Sequence, residues 1–288
     1  HDGWWLSRYQ FFIDEGGLLQ LPSPDGANEL NDAKSALREL RRKHYLAERL
    51  READAVTAVS EKFGKLYSSC IHREVRTTEN GLAVDFINKA RRNCVRSSQR
   101  VRIGHIGGLD IQKGAFLLEA ALRGGCFNNI EAVMIDHTKE ATFSVPVLWG
   151  GTKVTIRGKT PQDRVGSLYD ELDVLIAPSI WPESYGLVTR EALAYGLWVV
   201  TSDLGAIGDE IVEGVNGFKV SVRNAEALSR VLQLINHDPE TFLNPPNFKF
   251  TPRSITQQTD EFVALYQECL IELSRAGDPL ALPGGCPA

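Results

Sequence analysis

From residue 101 onward, short apolar runs of strand length recur at 101–106, 132–135, 153–156, 173–177, 197–201 and 218–221. Most of the intervals between them carry apolar residues at helical spacing, at about 113–123, 161–171, 186–195, 206–213 and 224–236. Strands alternating with helices in this way predict right-handed crossovers and a doubly wound α/β fold on a parallel sheet. In such a sheet ligands lie beyond the carboxyl ends of the strands, at the point where strand order reverses. Every loop that follows a strand is therefore a candidate site.

Before residue 100 the pattern is less regular. Between Asn31 and Ala53 the apolar positions Ala33, Leu37, Leu40, Ala47 and Leu50 fall near helical spacing, opposite Lys34, Arg38, Arg41, Arg42, Glu48 and Arg49. This predicts an amphipathic helix with one solvated face. Ala55–Val59 suits a strand, Ser60 to Tyr67 a helix, and Val84 and Phe86 a continuation of the sheet. Residues 1–30 read as a long loop, residues 88–100 as a polar, basic linker, and residues 243–252 (LNPPNFKFTP) as a break. Thr251-Pro252 opens a last helix, with Pro at its first position, and the tail from Gly277 reads as loose. The expected divisions are 1–99, 100–250, 251–276 and 277–288.

The chain has 288 residues, 43% of them hydrophobic, enough for one large domain or two ordinary ones. A net formal charge of −5 argues against a broad phosphate-backbone footprint, so nucleic acid is not an expected partner. Cys70, Cys94, Cys126, Cys269 and Cys286 are scattered, with neither zinc spacing nor a disulfide framework, which fits a reducing compartment. No run is long enough to span a bilayer and no signal peptide is read. The chain opens at His1 without Met, so upstream residues are expected.

Three strand-to-helix loops carry residues suited to chemistry. Residues 103–114 (IGHIGGLDIQKG) combine Gly107 and Gly108 with Lys113 at the start of a helix. Glycines allow close backbone approach, and the unpaired N–H groups of the helix suit a diphosphate; a tight turn with a surface lysine is the other reading the residues allow. Residues 178–196 (PSIWPESYGLVTREALAYG) place Glu183 in a loop, Gly186 and Leu187 at a helix start, and Glu191 a turn further on. Two carboxylates flanking exposed amides suit a polyol that carries an anion, although Glu183 also reads as a helix-capping acid and Glu191 as part of a solvated face. The third loop, residues 202–211 (SDLGAIGDEI), reads either as a phosphate or sugar contact or as ordinary punctuation.

The order of these segments, from Gly107…Lys113-Gly114 through Glu183 and Glu191, eight apart, to SDLGAIGDEIV and EGVNGF (213–218), resembles retaining GT-B glycosyltransferases of family 4, the glycogen-synthase and sucrose-synthase kind, over roughly residues 100–240. HDGWW resembles the His-Asp loop of that family's first domain, ADAVTAVS (53–60) its last strand, ENGLAVDF (79–86) the crossing to the second domain, and the helix at 252–272 the one that returns. The resemblance implies a Rossmann-like donor domain with the remnant of a second Rossmann-like domain before it. It implies transfer of a sugar from a UDP- or GDP-linked donor to a glycan, glycolipid or small molecule, as in polysaccharide biosynthesis. It implies Lys113 on the diphosphate, Glu183 on the transferred sugar, His1 near the reacting centre and Glu191 on the ribose. Gly107, Gly108, Tyr185, Gly186, Leu187 and Val188 would line the donor, with the base near Arg157 and Gly158.

No cofactor and no metal is expected. The location expected is cytoplasmic or peripheral on the inner face of the membrane, with contact through the first domain. One departure stands out. The family often has Arg where Gly108 stands, which leaves Lys113, with Arg157, Lys159 or Arg190 as replacements. The alternative function is a non-catalytic nucleotide-sugar-binding domain. A nicotinamide enzyme is disfavoured, because Gly104-x-x-Gly107-Gly108 is not G-x-G-x-x-G and Asp136 follows too late for a ribose acid.

Overall fold

The computed structural model describes residues 33–83 and 99–275. His1, Val84, Phe86, most of the expected linker and the tail lie outside those residues. Among the described residues no helix is long and apolar enough to cross a membrane.

The larger part is a seven-stranded sheet built from β3 (Val101–His105), β4 (Ile130–Asp136), β5 (Ser144–Trp149), β6 (Thr152–Gly158), β7 (Val174–Ala177), β8 (Trp198–Ser202) and β9 (Gly217–Val220), in the order β5-β6-β4-β3-β7-β8-β9. β5 runs antiparallel to β6 and every other pair is parallel. The central strands are apolar on both faces, β7 being buried at all four positions, as a sheet covered on both sides demands. Alternate residues feed two cores. Val101, Ile103, Val174 and Val200 pack beneath α3 (Ala115–Arg123), α6 (Ala225–His237) and α7 (Pro239–Leu243). Val133, Ile135, Leu175 and Val199 pack beneath α4 (Val165–Asp170) and α5 (Leu187–Ala194).

The chain leaves β3 through β4 to the β5–β6 edge, then returns to place β7 on the other side of β3. Strand order reverses between β3 and β7. The loops after these two strands, residues 106–114 and 178–186, thus diverge from the switch point and frame a crevice at its carboxyl edge.

A smaller unit precedes the sheet. α1 (Ala33–Glu52) leads to β1 (Thr57–Ala58), then α2 (Glu61–Ile71) and β2 (Arg76–Thr77), with β1 and β2 parallel. The chain then crosses over: Leu82 N donates to Arg253 O at 2.8 Å and Ile255 N to Leu82 O at 2.9 Å. From there α8 (Ile255–Arg275) runs back to the smaller unit, where Glu268 pairs with Arg76.

Two expectations are corrected. Residues 206–213 do not form a helix but a chain of turns. Amides inside the segment close tighter turns, Asp209 N with Ala206 O at 3.3 Å and Ile211 N with Gly208 O at 3.1 Å, while Val212 N turns to Oδ1 of Asn216 at 2.8 Å. Gly205, at φ +66°, and Gly208 provide the bends. β5 was not anticipated. It is an edge strand, where Pro146 loses no ladder bond it needs.

Candidate functional site

Three loops meet at the carboxyl edge. The loop after β3 is tied to the loop after β7 by a hydrogen bond from Ile180 N to Gln112 O, 3.0 Å. Gly114 closes the junction. It ends a short 3-10 turn (Ile111–Lys113), starts α3 with φ +71°, and lies so close to Pro178 that an added Cβ would stand 2.0 Å from the Pro178 carbonyl oxygen. The loop after β8 joins through a parallel bridge between Glu183 and Gly205. Arg190, 2% exposed, fastens the same loops by donating to the carbonyls of Tyr185 and Ala206 and pairing with Glu210 at 3.5 Å.

These loops enclose a cavity of about 250 Å³ lined by Gly107, Lys113, Glu183, Tyr185, Gly186, Leu187 and Val188, with His105, Ser179 and Asn80 beside them. Lys113 Nζ donates to Oε1 of Glu183 at 3.0 Å and lies 5.4 Å above the ring centre of Trp181. The Ser179 hydroxyl donates to the same Oε1. Glu183 is 7% exposed; one of its oxygens is anchored, while Oε2 carries no hydrogen bond among the described residues. Gly186 is the cap of α5 and lines the cavity with Leu187 and Val188 of its first turn, so a fixed positive dipole end accompanies the lysine. Tyr185 is clamped between the Arg190 guanidinium, 3.7 Å over its ring, and Asn80 O, to which its hydroxyl donates at 2.8 Å.

Glu191 is not in the wall of this cavity. It stands four residues beyond Leu187 on the same helix face, about 6 Å along the axis. Its Oε2 accepts from the Tyr169 hydroxyl at 2.6 Å, and burial pushes its pKa above the usual carboxylate value against the pull of that bond. Arg157 is not in the cavity either. Its side chain turns to Glu171 at 2.9 Å and lines a separate groove of about 570 Å³ along β5 and β6. Gly158 packs against the carbonyl of Glu140, and Lys159 pairs with Glu140 at 3.1 Å. Gly108, at φ +85°, faces the ring of His137, with which any added Cβ would collide at 2.8 Å. All three cations considered as substitutes for an arginine here are thus engaged elsewhere, and Lys113 is the only lysine or arginine lining the cavity among the described residues. No cluster of His, Cys, Asp and Glu that could hold a metal ion occurs among the described residues.

Ser179, His105, Asn80 and Tyr169 were not singled out by the sequence. Ser179 lies within the glutamate segment, four residues before Glu183, and was legible as a neighbour. The others come from distant positions. His105 is 1% exposed, with Nδ1 2.9 Å from Ile176 O and Nε2 2.8 Å from Gly108 O, so it bridges β7 to the glycine loop. Burial lowers its pKa from the ordinary 6.5, opposed by the two carbonyls. Between the ordinary value and the lower folded one, the unfolded chain binds more protons, so stability rises with pH across that window. Urea unfolding should therefore show wild type losing stability as pH falls below 6.5, and a His105→Phe variant losing less. Parallel losses in both would overturn this account of His105.

The family described as glycosyl transferases group 1 matches residues 87–245. The chain is 26% identical over 216 residues to the amylovoran biosynthesis glycosyltransferase AmsK of Erwinia amylovora, covering 67% of this chain and 52% of that protein. It is 32% identical over 125 residues to a phosphatidyl-myo-inositol mannosyltransferase of Mycobacterium leprae, covering 42% and 33%. The chain thus spans about half the length of the first of these curated relatives and less of the second. Among solved structures, Anabaena Alr3699/HepE in complex with UDP and glucose superposes with a TM-score of 0.61 at 17% identity, over 87% of this chain and 70% of that one. A glycosyltransferase from Rickettsia africae ESF-5 gives 0.60 at 18% identity, over 78% and 67%. At such identity the likeness is one of fold.

Proposed function

Since the chain belongs to the group 1 glycosyl transferases and has the GT-B type of fold, we propose that it binds a nucleotide diphosphate sugar and, in the whole protein, passes the sugar to an acceptor with retention at the anomeric carbon. The observation that carries this reading is the shared cavity of Lys113, Glu183 and the first amides of α5, at the switch point of the sheet. As the bond to the sugar breaks, negative charge grows on the leaving diphosphate. A lysine and a helix N-terminus fixed beforehand meet that charge without reorganising. Glu183, with Oε2 open, accepts hydroxyls of the transferred sugar, and Glu191 accepts those of the ribose.

The eight-residue spacing of the two glutamates within the ordered set of motifs supports assignment to family 4. The UDP and glucose named for the Anabaena protein support a UDP-linked donor, and the amylovoran role named for AmsK supports a polysaccharide or glycolipid acceptor. Such an acceptor would be met in the cytoplasm or at the inner face of the membrane. The reaction proposed uses no metal or cofactor, since Lys113 and the start of α5 are given the task of meeting the charge on the leaving diphosphate.

A thermal-shift panel of UDP-, GDP- and ADP-linked sugars tests the reading. A true donor stabilises the folded state with the logarithm of concentration over Kd, by about 2.7 kcal/mol at one hundred times Kd. A panel in which no nucleotide sugar raises the melting temperature would overturn it.

A further inference from the structure

Glu191 is a carboxylate with one oxygen committed and one open. Oε2 accepts the Tyr169 hydroxyl at 2.6 Å, a short charge-assisted bond, while Oε1 has no hydrogen-bond partner among the described residues. Tyr169 itself cannot swing. It is fully buried on α4, and its ring stacks on Tyr195 at 5.2 Å with an interplanar angle of 30°. Its oxygen also lies 3.4 Å from the carbonyl of Val188, a residue of the cavity wall. A rigid phenol from the helix before β7 thus reaches across to the helix after β7 and fixes a glutamate that the rotatable bonds of its own side chain would leave mobile. Glu183 is held in the same manner, with Ser179 and Lys113 on one oxygen and the other open.

We propose that Tyr169 is a positioning residue for the nucleotide: by holding Oε2 of Glu191 it turns Oε1 toward the ribose hydroxyls. The proposal rests on the reading of Glu191 as the ribose acceptor given above. Tyr169 does not touch the ligand. It acts through Glu191, so its removal leaves the acceptor in place but spread over several rotamers, and the part of the affinity that depends on ribose hydroxyls is what is lost.

The test is isothermal titration of the full-length protein with UDP and GDP, each against its 2′,3′-dideoxy counterpart. Hydrogen bonds to a charged group correspond to a preference of roughly 10- to 100-fold for the ribonucleotide in wild type. In Tyr169→Phe that preference should fall to less than about 3-fold, while the dideoxy compounds bind as before, which also shows that the variant is folded. Glu191→Gln should flatten the preference to the same degree, and adding Tyr169→Phe to it should flatten it no further. A Tyr169→Phe protein that keeps the wild-type preference, or weakens both ligands of a pair equally, overturns the role of Tyr169. An additive loss in the double variant does the same. A wild type that does not distinguish ribose from dideoxyribose overturns the placement of Glu191 itself, a result that reads differently from the other three.

Discussion

Replacing Lys113 by Ala should lower turnover of the proposed transfer about 100- to 1000-fold in the full-length protein, the usual cost of removing one preorganised group aimed at developing negative charge. The expectation is large because, among the described residues, no second lysine or arginine lines the cavity. Arg157 is held by Glu171, Lys159 by Glu140 and Arg190 by Glu210 and two carbonyls, so none lines the cavity to take over. The alanine also removes the ion pair of a carboxylate that is 7% exposed, leaving Ser179 as the hydrogen-bond donor to Glu183. An unpaired buried charge is costly, so the glutamate is held less firmly and accepts sugar hydroxyls less well. The loss should therefore appear chiefly in kcat, with a smaller change in KM, because the charge Lys113 meets is greatest in the transition state. Steady-state kinetics with the donor identified by thermal shift measures it. Glu183→Ala belongs in the same assay, and near-normal turnover in both variants would sink the assignment of this cavity.

The positions of Lys113, Glu183 and Gly186 were readable because each lies at a strand-to-helix junction, and alternating apolar runs locate such junctions without knowledge of tertiary contacts. The sheet order supplies the remainder: once β3 and β7 are neighbours, their two loops have to face each other. What sequence spacing could not give is which side chain answers which. Tyr169 meets Glu191 from 22 residues away, and His105 meets Ile176 from 71, through pairings set by the register of packed helices and strands. Arg157 shows the converse. Its backbone stands at the carboxyl end of β6 as the apolar pattern implies, but its long side chain runs along the sheet to Glu171. Residues 206–213 looked helical because Ala206, Ile207 and Ile211 sit at suitable spacing; Ile207 and Ile211 are indeed buried, but in a turn whose amides serve Glu183 and Asn216.

Gly114→Ala should be among the most destabilising single-methyl changes in the protein. Two costs add. At φ +71° a side chain pays about 1–2 kcal/mol for the left-handed conformation. The new Cβ would also stand 2.0 Å from the Pro178 oxygen, which is backbone and cannot rotate away. Relieving that overlap means parting the two loops that frame the cavity, a displacement of the overpacking kind that costs about 1–3 kcal/mol. Together they amount to about 2–5 kcal/mol, or on the order of 2–4 °C in Tm per kcal/mol for a domain of this size. Gly151 provides the control. Its φ is +89°, yet an added Cβ there would meet nothing within 4 Å, so Gly151→Ala carries only the conformational cost. The difference in Tm between the two variants thus isolates the contact with Pro178. Because Lys113 precedes Gly114 and Ile180 is tied to Gln112, parting the loops also moves the lysine away from Glu183, so Gly114→Ala should weaken donor binding while Gly151→Ala leaves it unchanged. Equal melting temperatures for the two variants would mean that the loops after β3 and β7 are not locked together at Gly114, and the cavity would lose the rigidity on which its preorganised charge depends.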